Sequence, residues 1–354
     1  MLPLRQLIGL ELARPIADKV IREHPLTTLF WECTLRCNLS CRHCGSDCRV
    51  TSTQKDMPLE DFLPVLDSIA LQTDPHKVMI DVTGGEPLLR KDLEVCGKAF
   101  YDRGFPWGIV TNGQALTPTR YNNLLQSGLR AVTVSLDGIG ETHDWMRGVP
   151  GSFAKAVSAI KTVADSGEVE FDVVTCVNKR SYQELDRIKQ LLTGIGVKRW
   201  RLFTVFPVGR AANDPELKLS SEEFRGTMEF IKQTRKEGKI RASYGCEGFL
   251  GKYEGDVRDN FFLCSAGLTV GSVMADGSIA ACASIRAGYS QGNIYEGDDF
   301  MDVWNNRYQI YRDRSWMKTD ACARCRYWRW CRGNGMHLRD AEGKLIFCHM
   351  ERLS

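Results

Sequence analysis

Residues 26–44 read LTTLFWECTLRCNLSCRHC, a β-rich run that passes directly into a loop with three closely spaced cysteines. The spacing between them is three and then two residues, at Cys37, Cys41 and Cys44. Three thiolates on one short loop can hold three corners of an iron-sulfur cubane, whereas structural zinc and complete iron-sulfur sites take four ligands. The loop therefore predicts a cluster with one open iron. A zinc site completed by Cys33 or Cys48 is the alternative.

Outward from this loop, β-rich runs alternate with helical patterns as far as about residue 206. The candidate strands are LTTLFWEC, VMIDVTG, WGIVTNG, AVTVSLDG, VEFDVVTCV and KRWRLFTVF. Apolar strands that alternate with helices predict an α/β fold with a parallel sheet, open or curved into a partial barrel. Ser181 and Glu184 predict a capping box at the start of the last of these helices. In such a sheet ligands bind at the carboxyl ends of the strands.

Composition places the chain among ordinary globular proteins. Its 354 residues are 43% hydrophobic and 26% charged, and the net charge of +3 gives no argument for a nucleic-acid or membrane partner. The N-terminus lacks the continuous apolar core of a signal peptide, and no segment is apolar enough to span a bilayer. We therefore expect a cytoplasmic protein, in which the 14 cysteines are not paired in disulfides and metal binding is the leading explanation for them.

Motifs at the ends of the next three strands extend the pattern. The second strand ends in Gly84-Gly85-Glu86, the third in Asn112-Gly113, and the fourth in Ser135-Leu136-Asp137-Gly138, with Arg147 shortly after. Together with the CxxxCxxC loop, these motifs resemble the radical S-adenosylmethionine (SAM) superfamily, whose members fold as a partial (β/α)6 TIM-like barrel. Asn-Gly, Asp-Gly and Gly-Gly pairs are also common in plain turns, which is the alternative for each.

The resemblance implies a role for each motif. Gly84, Gly85 and Glu86 would meet the amino group of the methionine moiety, and Ser135 and Arg147 would hold its carboxylate. Asn112 or Asp137 would contact the cofactor, and His43 takes the place of an aromatic residue near the adenine. The implied chemistry is one-electron cleavage of SAM at the open iron of a [4Fe-4S] cluster, which gives a 5′-deoxyadenosyl radical. A flavodoxin or ferredoxin would supply the electron.

The second half of the cysteines is concentrated between residues 246 and 348. Their spacing resembles the SPASM domain, which carries auxiliary iron-sulfur clusters. The resemblance implies one complete cluster on Cys322, Cys325, Cys331 and Cys348. A first auxiliary cluster would use Cys264 and Cys282, with Cys246 as the best candidate for a third ligand, because Gly335 stands where the family has another cysteine. A zinc ribbon is the alternative.

These features predict four segments: an N-terminal helical extension (1–25), the radical SAM partial barrel (26–215), a linker helix (216–243) and the SPASM domain (244–354). The predicted function is hydrogen abstraction from a peptide or protein, giving a crosslink, an epimerisation or an oxidation. A separate leader-binding protein could assist. Alternatives are a small-molecule or cofactor-biosynthesis dehydrogenase, a sulfatase maturase (disfavoured because Ala283 follows Cys282), and a non-catalytic iron-sulfur or zinc scaffold.

Overall fold

The computed structural model describes residues 2–286 and 288–353, and within these ranges ten β-strands form one sheet. The strands are β1 (Thr28–Glu32), β2 (Met79–Thr83), β3 (Trp107–Thr111), β4 (Leu129–Ser135), β5 (Glu170–Val177), β6 (Arg199–Thr204), β7 (Arg241–Tyr244), β8 (Val270–Val273), β9 (Ser278–Ala280) and β10 (Gly292–Asn293). Their order across the sheet is β10-β9-β8-β1-β2-β3-β4-β5-β6-β7.

Fourteen α-helices accompany these strands in the described part of the chain. They are α1 (Leu4–Glu23), α2 (Leu59–Gln72), α3 (Leu93–Asp102), α4 (Pro118–Gln126), α5 (Glu141–Arg147), α6 (Ser152–Ser166), α7 (Lys179–Tyr182), α8 (Leu185–Ile195), α9 (Ser221–Glu237), α10 (Phe300–Asn306), α11 (Gln309–Arg312), α12 (Asp320–Ala323), α13 (Trp328–Cys331) and α14 (His349–Leu353). At least one helix separates each pair of consecutive strands from β1 to β7.

Every pairing from β1 through β7 is parallel, and neighbours in the sheet are neighbours in the chain. Parallel neighbours require crossover connections, and the helices supply them. The predicted α/β class and largely parallel sheet are confirmed, and the carboxyl ends of all seven strands lie at one edge.

Helices bury their apolar faces against the sheet. Phe62 of α2 stacks on Trp31 of β1 with ring centroids 4.7 Å apart, and Phe100 of α3 meets both rings edge-on. All three side chains are fully buried, so each contributes on the order of 1.5–3 kcal/mol of apolar burial. This packing fixes β1, and with it the loop that carries the first cysteines.

The predicted capping box of Ser181 and Glu184 is wrong. Ser181 instead belongs to a box at the start of α7, where the Asn178 side chain accepts from the Ser181 backbone N–H and the Ser181 hydroxyl accepts from the Asn178 N–H. Asparagine is a strong N-cap residue and places the box one turn earlier. Glu184 precedes α8 without capping it and accepts a hydrogen bond from the Ile139 N–H.

The sheet runs across the predicted segment borders. Helix α9, capped by a box of Ser220 and Glu223, packs against β7, and β7 pairs with β6. From the cysteine-rich half of the chain, β8 pairs in parallel with β1, and β9 and β10 follow as antiparallel strands. The C-terminal half is therefore attached to the barrel strand that leads into the cysteine loop, while the four-segment division stays a prediction.

Among the described residues, we find no helix that combines the length and apolar character needed to cross a membrane.

Candidate functional site

Nine of the predicted residues line one cavity of about 150 Å³ at the carboxyl ends of β2, β3 and β4. They are Cys37, Cys41, His43, Cys44, Gly84, Gly85, Asn112, Ser135 and Arg147. Cys48 and Arg210 line the same cavity, whereas Cys33 does not. Residues from six separate stretches of sequence thus meet at the edge of the sheet where the fold places ligands.

Each sulfur of the cysteine triplet has a hydrogen-bond donor close by. The Asn112 amide lies 3.8 Å from Cys37 Sγ, the Arg147 Nη1 lies 3.6 Å from Cys41 Sγ, and the Cys48 backbone N–H lies 3.4 Å from Cys44 Sγ. Donors of this kind favour the thiolate, which is the form that binds metal. The donor set therefore fits a cluster held by three cysteines.

Burial and hydrogen bonding also shift the pKa values of these thiols in different directions. Burial raises the pKa of Cys37 to about 11, whereas a hydrogen bond from Cys48 lowers the pKa of Cys44. The hydrogen bond from Cys48 thus favours the thiolate form of Cys44, which is the form that binds metal.

The two glycines of the GGE motif fit against the cysteine loop. A Cβ on Gly84 would lie 2.2 Å from the Thr34 carbonyl oxygen, and a Cβ on Gly85 would lie 2.2 Å from that of Arg36. Gly84 also has a φ of +142°, which side-chain-bearing residues rarely adopt. The Gly85 and Glu86 N–H groups donate to these same two carbonyls. Glycine is therefore required here to seat the cysteine loop as well as to admit a ligand.

Glu86 is fully buried and does not line the cavity. Its carboxylate accepts from the Thr111 hydroxyl at 2.7 Å, the Asn112 N–H at 2.8 Å and the Leu88 N–H at 3.1 Å. Burial nevertheless raises the pKa of Glu86 to about 6. These contacts join the loop after β2 to the end of β3, so the carboxylate holds Asn112 in place at the cavity wall.

Asp137 also lies behind the cavity rather than in it. It is fully buried, its Oδ2 is 2.7 Å from Arg147 Nη2, and its Oδ1 accepts from the Cys176 N–H at 2.8 Å. His43 Nε2 lies 3.8 Å from the same Oδ2. Burial lowers the pKa of His43 to about 4, so this imidazole is neutral near pH 7. Arg147 and Arg210 are thus the cations that line the cavity.

Cys176 is a site residue that the sequence did not reveal. It falls on β5, where a small buried hydrophobic role is the natural interpretation, yet it is only half-buried. Ligand atoms of Cys176, His43 and Asp137 all lie within 4.8 Å of one another. The available signal was its position near the carboxyl end of a parallel strand. Cys96, by contrast, is fully buried in α3.

Four C-terminal cysteines line a second cavity, of about 490 Å³, namely Cys322, Cys325, Cys331 and Cys348. The buried Arg339 guanidinium lies 3.5 Å from Cys322 Sγ. Burial raises the pKa of the Cys322, Cys331 and Cys348 thiols. Four thiols around a cavity of this size fit a complete four-cysteine cluster.

The thiols of Cys264 and Cys282 lie close enough to that of Cys246 for their charges to raise its pKa, although the Cys246 side chain is exposed. A Cβ on Gly335 would lie 2.5 Å from the carbonyl oxygen of Glu247, the residue after Cys246. The segment that carries Cys246 therefore fills the space that a side chain at position 335 would need.

Comparison with known proteins agrees with this geometry. Residues 31–192 match the radical SAM superfamily, and residues 264–326 match the SPASM iron-sulfur cluster-binding domain. The AdoMet-dependent heme synthase of Methanosarcina barkeri is 27% identical over 321 residues, which cover 86% of this chain and 89% of that protein. The mycofactocin maturase MftC of Mycolicibacterium smegmatis is 28% identical over 320 residues, covering 87% and 77%.

Among solved structures, Streptococcus suis SuiB bound to precursor peptide SuiA superimposes with a TM-score of 0.70 at 18% identity, over 90% of this chain and 74% of SuiB. That likeness shows the fold. The two domain matches imply [4Fe-4S] clusters and SAM as cofactors. The chain thus carries a radical SAM domain followed by a SPASM domain, and these two domains make it a radical SAM enzyme.

Proposed function

We propose that this enzyme modifies a peptide or protein after translation, by abstracting hydrogen from a residue held above the SAM cavity. The observation that carries the proposal is the presence of two further cysteine groups in the C-terminal half, one of them with four thiols around one cavity. Auxiliary clusters of this kind can accept the electron that remains on a substrate after hydrogen abstraction, so that the substrate is oxidised. The relative named mycofactocin maturase supports the same substrate class.

Cys37, Cys41 and Cys44 would hold the cluster, which when bound would supply the electron for reductive cleavage of SAM and so the means of hydrogen abstraction, and auxiliary clusters would offer acceptors for the remaining electron. The role of the protein is to bind SAM and to orient it. Arg147 and Ser135 hold the methionine carboxylate, and the backbone of Gly84 and Gly85 meets the amino group. A flavodoxin or ferredoxin is the proposed electron donor.

Other residues keep these contacts in place. Asp137 holds the Arg147 guanidinium, and Glu86 holds the Asn112 backbone. His43 is neutral and lies at the cavity wall, where in this proposal it would contact the adenine. Cys322, Cys325, Cys331 and Cys348 hold one auxiliary cluster in this proposal, and Cys246, Cys264 and Cys282 hold the other.

A tetrapyrrole substrate is the second candidate function, because the heme synthase from M. barkeri is as similar to this chain as the peptide maturase is. The site residues that handle SAM would be unchanged. The difference would lie in what occupies the space beside the SAM cavity, since a macrocycle and a peptide side chain differ in size and in the number of carboxylates.

The deciding experiment uses the full chain, reconstituted anaerobically with iron and sulfide. With dithionite and SAM, we expect 5′-deoxyadenosine, whereas the Cys37→Ala/Cys41→Ala/Cys44→Ala variant should form none. Mass spectrometry then follows candidate peptides from short neighbouring reading frames, with Fe-coproporphyrin III in parallel. A mass change in a peptide supports the proposal, and turnover of the porphyrin alone would replace it with the second candidate.

A further inference from the structure

A further cavity, distinct from the two described above, lies at the carboxyl end of β6, between the loop after that strand and the C-terminal helix α14. Its volume is about 330 Å³, and its walls are mostly apolar. The main apolar contributors are Val205, Phe206, Ala211, Leu217, Phe224 and Phe347. We call this opening the β6 cavity. None of the residues to which we assigned cofactor roles lines it.

The loop that walls the β6 cavity is bound to the cysteine loop of the SAM site. The Arg210 backbone N–H donates to the Cys44 carbonyl at 3.2 Å. Arg42 donates through both Nη2 and Nε to Asp214 Oδ2, at 2.8 and 3.0 Å. Gly209 packs so closely that a Cβ would lie 2.6 Å from the Cys44 carbonyl oxygen. The cavity wall is therefore joined directly to the loop that carries the proposed cluster ligands.

Apolar side chains also connect the two cavities. Ala211 and Leu217 pack in one cluster with the buried Met146, and Cys176 contacts that cluster. Cys176 in turn lies within 4.8 Å of His43 and Asp137, at the back of the SAM site. A group bound in the β6 cavity would thus rest one layer of side chains away from the SAM site.

The rim of the β6 cavity carries unbalanced positive charge. Lys218 is exposed there, and the Arg352 guanidinium lies 5.4 Å from the centre of the Phe347 ring. Neither cation forms an ion pair with an acidic side chain within residues 2–286 and 288–353. Among the described residues that line the cavity, Asp214 is the only one with a carboxylate, and it already forms an ion pair with Arg42. An anion at the rim would therefore find two free cations.

We propose that the β6 cavity binds one apolar side chain of the substrate, with a carboxylate of the same substrate at the rim against Lys218 and Arg352. The inference rests on the proposed peptide-modifying function and names the recognition element. Burial of an aliphatic or aromatic side chain supplies most of the affinity, and the cations add selectivity for a carboxylate. The carboxylate is either the chain terminus or a neighbouring acidic side chain.

The volume favours a side chain over a macrocycle. Ligand cavities generally run from about 300 to 1,000 Å³, and the β6 cavity lies at the low end of that range. A tetrapyrrole with several carboxylates would also need more than the two rim cations. Occupation by a peptide residue is therefore the better fit.

The test measures binding to the reconstituted full chain and needs no turnover. The probes are N-acetyl-4-fluorophenylalanine and its C-terminal amide, observed by ¹⁹F NMR. We expect the acid to bind at least ~3-fold more tightly than the amide, because one or two exposed charge contacts are worth roughly 0.5–1 kcal/mol. A two-residue probe with a free aspartate and an amidated terminus then separates the two carboxylate sources.

Variants of the rim and of the wall give independent readouts. Lys218→Ala/Arg352→Ala should abolish the preference for the acid while both probes still bind, whereas Lys161→Ala, an exposed lysine on α6, should change nothing. Ala211→Phe should weaken both probes by filling the cavity, and its thermal midpoint reports whether it folds. The rim variants alter only the surface and remain decisive if Ala211→Phe does not fold.

Equal binding of acid and amide, or a preference that survives removal of both cations, would overturn the inference. Displacement of the probe by coproporphyrin III would overturn the choice of a peptide residue. If peptides are modified but the rim variants leave their KM unchanged, the inference fails while the proposed function stands. If the probes behave as expected but no peptide is ever modified, the proposed function fails on its own.

Discussion

The Asp137 carboxylate holds the Arg147 guanidinium, with 2.7 Å between Asp137 Oδ2 and Arg147 Nη2. Both side chains are buried, and the other oxygen of Asp137 accepts from the backbone of Cys176. Although burial opposes ionisation, Arg147 keeps the pKa of Asp137 below its usual value. Since Arg147 Nη1 reaches Cys41 Sγ at 3.6 Å, one ion pair links β5, α5 and the cysteine loop.

Substitution Asp137→Asn should weaken SAM binding by at least ~10-fold. Removing one partner of a buried ion pair leaves the other charge uncompensated, at a cost of about 3–5 kcal/mol shared between folding and binding. Calorimetric titration of the reconstituted enzyme with SAM measures the effect. Asp67→Asn, which removes a surface pair with Arg103, is the matched control and should bind normally. Unchanged affinity in Asp137→Asn would show that Arg147 needs no partner.

Substitution Cys246→Ser should lower the iron content of the reconstituted protein, because Cys246 lies with Cys264 and Cys282 in one group of thiols. Cys176→Ser should keep its full iron content, since Cys176 lies beside His43 and Asp137 rather than within a cysteine group. Iron and sulfide analysis with electron paramagnetic resonance distinguishes the two. Equal iron in both variants would remove Cys246 from the ligand set.

Substitution Gly335→Cys should destabilise the protein and add no iron. A Cβ at this position meets the Glu247 carbonyl oxygen at 2.5 Å, and overpacking of this kind costs about 1–3 kcal/mol. Thermal unfolding and iron analysis measure the two effects. Gly194→Cys is the control, because a Cβ there meets no atom within 4 Å. Extra iron in Gly335→Cys would mean that the family's cysteine position is still usable.

Asp81→Asn should stabilise the protein at pH 8 and lose this advantage as the pH falls. Burial raises the pKa of Asp81 to about 6, against the opposing charge of Arg201. Because the folded pKa exceeds the unfolded value of about 3.9, the folded state binds the proton more tightly, so wild-type stability decreases as the pH rises from ~4 to ~6. Above pH 6 the buried Asp81 carboxylate is ionised, and it destabilises the folded state by its full amount, at most ~3 kcal/mol.

Unfolding midpoints of Asp81→Asn and wild type at pH 5 and pH 8 measure this difference. Asp186→Asn, an exposed carboxylate on α8, should show no comparable pH dependence. A gain that is equal at both pH values would attribute the effect to packing rather than to the charge of Asp81.

Local sequence determined much of this protein. The spacing of Cys37, Cys41 and Cys44 requires only that they share one loop, and alternation of apolar strands with helices is enough to predict a parallel sheet whose strand ends converge. The glycine at position 84 indicated a special backbone conformation, because few other residues tolerate the positive φ that Gly84 adopts. Features of this kind depend on neighbours in the chain, so the sequence alone carries them.

The tertiary structure decided what depends on distant neighbours. Glu86 has its carboxylate buried against β3 rather than in the cavity, and Cys176 reaches His43 from another strand. Pairing of β8 with β1 attaches the C-terminal half to the barrel, and the Glu247 backbone occupies the space beside Gly335. No local pattern encodes these contacts, because burial and the pairing of charges are fixed only when the whole sheet is assembled.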